Sequence, residues 1–322
     1  MTQKAVWVHA NGGAQRERDE AASDNLQGNV RRLRFSAEIE SRIDHLPPFP
    51  TVLSELIGLT NSEKSAATDL RSCLEKDPVL TARLLKLANS AFYSPRTAVT
   101  SLQQAVVMLG HLTVKSLAMA AATLKFLSRD AEAYGMAAGG LWMHSYASAE
   151  LAREIASALG WPDDEKDAVY VGALLHDIGK IILADILAAA EPGGQQPAPS
   201  SGGETVGEWE SRLSGFTHFG VGERIARKWS LAPLTIGCIR FHHQDHDVPE
   251  EFAQEVRVVS LADAGARRLG VGIAEPDENP EREACLLEAL SFPVEGFEEI
   301  LVRYSEKSSE TESLFSNLGD VS

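Results

Sequence analysis

The stretch Val169 to Leu183 reads VYVGALLHDIGKIIL. It is apolar almost throughout, yet His176 and Asp177 stand side by side in its middle with Lys180 just beyond. Burying a histidine and a carboxylate is costly unless they are paired or bound to a metal. Read with its neighbours as DAVYVGALLHDIGKIILADIL, the stretch predicts one helix. On it His176 and Asp177 would lie about 100° apart, and Lys180 would share their side. That places two ligand-type side chains and a cation inside a helical core.

The rest of the chain supports an all-α fold. Ala and Leu dominate, and no alternating β-branched runs separate the apolar segments. Thr51 opens a helix in TVLSELIGLTNS after the stiff link Leu46-Pro47-Pro48-Phe49-Pro50. Asp77 caps another, with Pro78 at its first position. Ser101 begins SLQQAVVMLG, which Gly110 stops, and Thr113 begins the next. After a break at Gly135–Gly140 come LWMHSYASAELAREIASALG, the His-Asp segment, HFGVGERIARKWSL, PLTIGCIRFHH and EVRVVSLADAGARRLG. We expect a flexible leader over 1–35, an N-terminal helical subdomain over 36–134 and a second helical subdomain over 135–270. A Gly-, Pro- and Ser-rich loop over 191–205 interrupts the second, and an acidic helical tail covers 271–322.

The net charge of −16 argues against a protein built to grip nucleic acid. Much of it lies in the tail, where residues 272–322 carry 13 acidic against 3 basic side chains. Cys73, Cys238 and Cys285 are scattered and odd in number, so neither a disulfide framework nor a cysteine zinc site follows. No window has the length of a membrane span or a signal-peptide core, and the expectation is a cytoplasmic protein.

Of nine histidines, His144, His176, His218, His242, His243 and His246 fall within about a hundred residues. They are spread over several predicted helices, which is how a helical bundle assembles a metal site from facing side chains. Imidazole and carboxylate suit iron, manganese or zinc. A single such histidine is more often a core residue than a ligand. The set in order, with Asp177 and Asp263, carries the weight. Trp142, Trp161 and Trp229 read as packing residues, and Asn89-Ser90 as a helix end that bonds backbone.

LLHDIGK resembles the defining motif of the HD metal-dependent phosphohydrolase superfamily. The wider layout is similar to its HDOD branch of bacterial signalling proteins, from about Ser36 to Gly270. LPPFPTVLSEL, DPVLTARLLKLANSAFYS and SLQQAVVMLG carry that likeness in the first half. LWMHSYASAELA, FGVGERIARKWSLAP and IRFHH carry it in the second. The resemblance implies that His144, His176, Asp177 and Asp263 hold one divalent ion. It implies that His218, His242 and His243, with Asp177 bridging, hold a second, as in HD-GYP phosphodiesterases. After His243 the chain reads QDHDVPEEF rather than continuing into Gly-Tyr-Pro, and Gly140 stands where three-metal relatives place a carboxylate.

Two functions follow from the resemblance. One is a signal-transduction output module that works by contact with a signalling protein partner and keeps an HD-type metal site. The other is an active metal-dependent phosphohydrolase on a phosphoester, a nucleotide or a cyclic dinucleotide. In it Asp177 and Lys180 would be the catalytic groups, Lys180 meeting developing phosphoryl charge.

Overall fold

The computed structural model describes residues 32–59, 63–90, 93, 95, 97–190, 204–244, 248–273 and 279–319. The fold is all-α, and among the described residues the only β pairing is an isolated bridge between Ala131 and Met136. The helices are α1 (32–44), α2 (Thr51–Gly58), α3 (Glu63–Leu74), α4 (Pro78–Ala88), α5 (Leu102–Leu109), α6 (His111–Leu127), α7 (Gly140–Ala158) and α8 (Asp163–Leu175). They continue as α9 (Lys180–Ala190), α10 (Val206–Ser214), α11 (His218–Lys228), α12 (Pro233–Phe241), α13 (Ala253–Arg268), α14 (Pro280–Ala289) and α15 (Val294–Gly319). No described helix is long and apolar enough to cross a membrane. Residues 1–31 of the predicted leader (1–35), most of the predicted loop and His246 lie outside the described residues; residues 32–35 of that leader instead form the start of α1, because Phe35 is buried in the core.

The helices pack as two clusters. In the first, α2 to α5 surround α6; in the second, α7 packs on α8 and α13, α12 packs on α8, and α11 packs on α12 and α9. α6 and α7 are buried nearly all round, as helices at the centre of a bundle must be. They touch each other, and Trp142 on α7 donates its indole N–H to Ala120 O on α6 at 2.9 Å. α15 returns from the far end to lie against α7 and α4.

Several helix ends follow from the residues at them. Asp77 accepts from Leu80 N at 2.9 Å with Pro78 behind it, and Ser101 accepts from Gln104 N at 3.2 Å. Gly110 sits at φ +82°, so it closes α5 and opens α6 in one residue. α6 therefore starts at His111 rather than at Thr113. Thr51 does not cap α2: Pro50 takes the cap position, and its carbonyl accepts from Leu53 N and Ser54 N. Asn89 closes α4 with its side chain, donating to Leu85 O and Val99 O and accepting from Val99 N, each at 2.7 Å.

The larger departure is at the His-Asp pair. The predicted single helix is two: α8 ends at Leu175, residues 176–179 form a tight turn, and α9 begins at Lys180. Three-residue hydrogen bonds replace the helical ladder there, Ile178 N to Leu175 O at 3.0 Å and Lys180 N to Asp177 O at 2.9 Å. The cause is tertiary. α11 comes so close that a Cβ on Gly179 would lie 1.8 Å from His218 O.

The clusters are joined by polar as well as apolar contacts. Lys115 on α6 is buried and donates to Leu59 O at 2.8 Å and to Asp167 Oδ2 on α8 at 2.8 Å. Trp229 packs on Phe49 and Phe126 and donates to Pro47 O at 3.1 Å, and Lys228 Nζ reaches the last carbonyls of α1. Breaking a nearly buried ion pair strands its partner. Lys115→Met should cost about 2–3 kcal/mol in urea unfolding, with much of that recovered in the Lys115→Met/Asp167→Leu double variant. A cost below about 1 kcal/mol would mean that water screens the pair.

Candidate metal centre

α7, the 176–179 turn, α11, the end of α12 and α13 converge on one point. His144 comes from α7, His176 and Asp177 from the turn, His218 from the first residue of α11 and Asp263 from α13. His242 and His243 lie in the turn that follows α12. All of these side chains are at 0–1% exposure except His243, at 18%. His246 lies outside the described residues.

Asp177 is the hub. Its Oδ1 is 3.3 Å from His218 Nε2 and 3.7 Å from His242 Nε2. Its Oδ2 is 3.3 Å from His176 Nε2, 3.7 Å from His144 Nε2 and 2.6 Å from Lys180 Nζ. Asp263 Oδ1 lies 3.0 Å from His144 Nε2 and 3.7 Å from His176 Nε2, and its Oδ2 is 3.9 Å from His243 Nδ1. Two sets of potential ligand atoms result, each within 4.8 Å: Asp177, His218, His242 and His243, and separately His144, His176 and Asp263.

The seven side chains expected as ligands thus lie together, and they divide differently from the expected grouping. Asp177 falls geometrically with the three later histidines, and it approaches the other set through Oδ2. Lys180, expected to meet developing phosphoryl charge, donates to Asp177 and sits 5.1 Å from the Tyr134 ring centroid.

The outer nitrogens fix how the rings face. His176 Nδ1 is 2.6 Å from Ala173 O, and His242 Nδ1 is 3.0 Å from Ile239 O. An N–H there turns Nε2 toward the centre, where it offers a lone pair whenever the ring is neutral. Yet the centre-facing atoms His176 Nε2, Asp177 Oδ1 and Asp263 Oδ2 are buried without a hydrogen bond. Orphaned buried polar atoms are rare. Histidine nitrogens and carboxylate oxygens converging in this way fit a divalent ion of the iron, manganese or zinc type.

The charges are balanced internally. Burial alone would lower the His176 pKa, but Asp177 and Asp263 outweigh it and lift it to about 10. Burial opposes ionisation of Asp177, yet His176 and Lys180 hold its carboxyl well below the usual range. His144 and His176 do the same for Asp263 against its burial. His242, by contrast, is pushed down to about 4 by burial, with the neighbouring His176 and His218 adding to it. A metal ligand histidine must give up its inner proton. Zinc added to metal-free protein at pH 7.5 should therefore release about one proton from His176, read with an indicator dye in weak buffer. Uptake without proton release would mean that His176 is neutral in the metal-free centre.

Two contributors were invisible in the sequence reading. Glu210, on α10, lies 2.7 Å from His218 Nδ1 through Oε1 and accepts from Tyr134 OH at 2.6 Å. Arg282 donates to His242 O behind the pair of histidines. The sequence reading predicts no helix between the Gly-, Pro- and Ser-rich stretch and His218, where the structure has α10. Its signal was present as a capping box, Thr205 with Glu208. Gly140 also has a local reason. A Cβ there would fall 2.4 Å from Gly272 O, so the start of α7 has no room for a carboxylate.

The HDOD domain profile matches residues 46–245. The chain belongs to the HDOD family. The crystal structure of an HDOD domain protein of unknown function from Geobacter sulfurreducens is similar at 26% identity. The match covers 90% of this HDOD chain and 98% of that one, with a TM-score of 0.64. An uncharacterised protein of Treponema pallidum (strain Nichols) is 25% identical over 251 residues, 76% of this chain and 47% of its own length. Ribonuclease Y of Mycoplasma capricolum is 32% identical over 127 residues, 38% of this chain and 19% of its own length. The chain thus spans about half, or less, of the curated relatives it matches. Together with the clustered histidines and aspartates, these likenesses give the HDOD protein an affinity to the HD phosphohydrolase superfamily.

Proposed function

We propose that this protein is a bacterial signal-transduction output module. In this reading it holds one or two divalent ions at His144, His176, Asp177, His218, His242, His243 and Asp263, and it acts by contact with a signalling protein partner rather than by turnover. The observation that supports this is closure. Six of the seven side chains are at 0–1% exposure, and Lys180 is itself buried against Asp177. Catalytic metal sites keep an open position, whereas structural ones are closed by protein ligands. On this reading the ions tie α7, α11 and α13 to the 176–179 turn and set the surface shown to the partner.

Protein purified without chelator and without a histidine tag tests it. Elemental analysis should find one or two equivalents of iron, manganese or zinc. The same preparation should show no turnover of bis-p-nitrophenyl phosphate above buffer. Absence of metal after anaerobic reconstitution would overturn the metal site.

A second reading is favoured by His243. Among the seven described side chains of the centre it is the one that reaches the surface, at 18% exposure, so the second set has an approach from that side. This would be a metal-dependent phosphohydrolase on a phosphodiester of a nucleotide or cyclic dinucleotide. Bound ions would supply a water of lowered pKa and a clamp on phosphoryl oxygens. Asp177 and Lys180 would then hold the charge around the reacting group. Metal-dependent turnover that falls tenfold or more in Lys180→Ala, with the metal retained, would establish this reading in place of the first.

A further inference from the structure

We propose that Glu210 is a positioning residue of this centre, the group that makes His218 a ligand through Nε2 and holds it there. The inference rests on the metal reading above and concerns a residue outside the HD pattern.

Glu210 is fully buried. Its carboxylate takes three contacts from two residues. Oε1 lies 2.7 Å from His218 Nδ1 and accepts from Tyr134 OH at 2.6 Å, and Oε2 accepts from His218 N at 2.8 Å. Both ends of His218, backbone and ring, are thus held by one side chain. A neutral imidazole has one N–H and one lone pair. With its hydrogen on Nδ1 facing Glu210, the lone pair must sit on Nε2. That atom is 3.2 Å from His242 Nε2 and 3.3 Å from Asp177 Oδ1, inside the centre.

The other buried rings are held differently. His176 and His242 set their Nδ1 atoms against backbone carbonyls. Among the described ligand-type histidines, only His218 has a carboxylate behind it. A carboxylate on the outer nitrogen both fixes the tautomer and makes the ring a stronger donor.

The local chain is built to keep Glu210 in place. α10 and α11 are joined by a short turn with Gly215 at φ +81°. Ser214 Oγ donates to Glu210 O at 2.8 Å, and Phe216 N donates to Ser214 Oγ at 3.1 Å. A wider circuit closes from there. Tyr134 bonds Glu210, Lys180 Nζ lies over the Tyr134 ring, Lys180 pairs with Asp177, and Asp177 faces His218. Glu210 touches only the set containing Asp177, His218, His242 and His243. Its hydrogen bonds go to His218 and Tyr134 and not to His144, His176 or Asp263, so its loss should act on one set and spare the other.

Two measurements on the full chain test this. In metal-free protein labelled with 15N-histidine, ring NMR should show His218 as the Nδ1–H tautomer. Glu210→Ala should move it toward Nε2–H, which can then donate to Asp177. Zinc competition against a chromophoric chelator should show one equivalent weakened about 10- to 100-fold in Glu210→Ala, with the other unchanged. Glu210→Gln keeps an oxygen for Nδ1 and should retain the tautomer with a smaller loss of affinity. If the alanine variant does not fold, Glu210→Gln alone decides, through weakening of one equivalent. An unchanged tautomer in Glu210→Ala, equal weakening of both equivalents, or wild-type zinc affinity would each overturn the proposal. If the wild type takes up no zinc, the metal reading fails, and the tautomer measurement still decides the role of Glu210.

Discussion

Replacing Asp177 with alanine should strip metal from both ligand sets at once. One carboxylate faces His218 and His242 through Oδ1 and His176 and His144 through Oδ2. Asp263, the other acid of the centre, faces His144 and His176 through Oδ1 and reaches only His243 of the other set, at 3.9 Å, so it does not replace Asp177 beside His218 and His242. Elemental analysis should fall from one or two equivalents to near background. The metal-free protein should also lose stability. Lys180 would lose its buried partner and His176 the carboxylate that chiefly holds its proton, and breaking a buried ion pair by removing one member costs about 3–5 kcal/mol. Asp177→Asn separates shape from charge, since it fills the same space and still loses metal. The first helical cluster does not reach Asp177 through any contact described above, and its far-UV signature should persist. A variant that keeps wild-type metal content would show that Asp177 is not the shared ligand.

The second large effect needs no change of charge. Gly179→Ala places a methyl group 1.8 Å from His218 O and 2.7 Å from Gly222 N. Both are backbone atoms of α11, so no side chain can swing away. The glycine is not at positive φ, so the cost is contact rather than backbone conformation. α11 would have to move away from the 176–179 turn, carrying His218 off Asp177. We expect a loss of about 4 kcal/mol or more in chemical unfolding, at the extreme of single substitutions. Zinc affinity at the Asp177 set should fall with it. A loss under about 1 kcal/mol would mean that turn and helix are not locked together.

Much of this architecture was legible. Asp77-Pro78, Ser101 and Gly110 mark helix ends because their chemistry is local, a side-chain oxygen or a backbone angle within three residues. The ligand-type residues were legible as residue types in order, and the structure brings the seven of them together. What escaped was set by contacts distant in sequence. The apolar run through His176 offers only Gly179 as a local reason to break, and what the sequence does not show is that α11 packs directly on that glycine. Glu210 lies eight residues from His218, beyond any helical neighbour spacing, and only the turn between α10 and α11 brings them face to face. Lys180 was placed on the right side of the pair, but its closeness to Asp177 depends on the turn.

The depth at which these side chains lie has a consequence in time. A centre with almost no exposed ligand atom can load or release an ion only as fast as the surrounding helices part. On the metal-holding reading, exchange would be slow beside the life of a signalling event. Occupancy would then record the metal supply when the chain folded, so that two copies made under different conditions would carry that difference forward as a molecular memory.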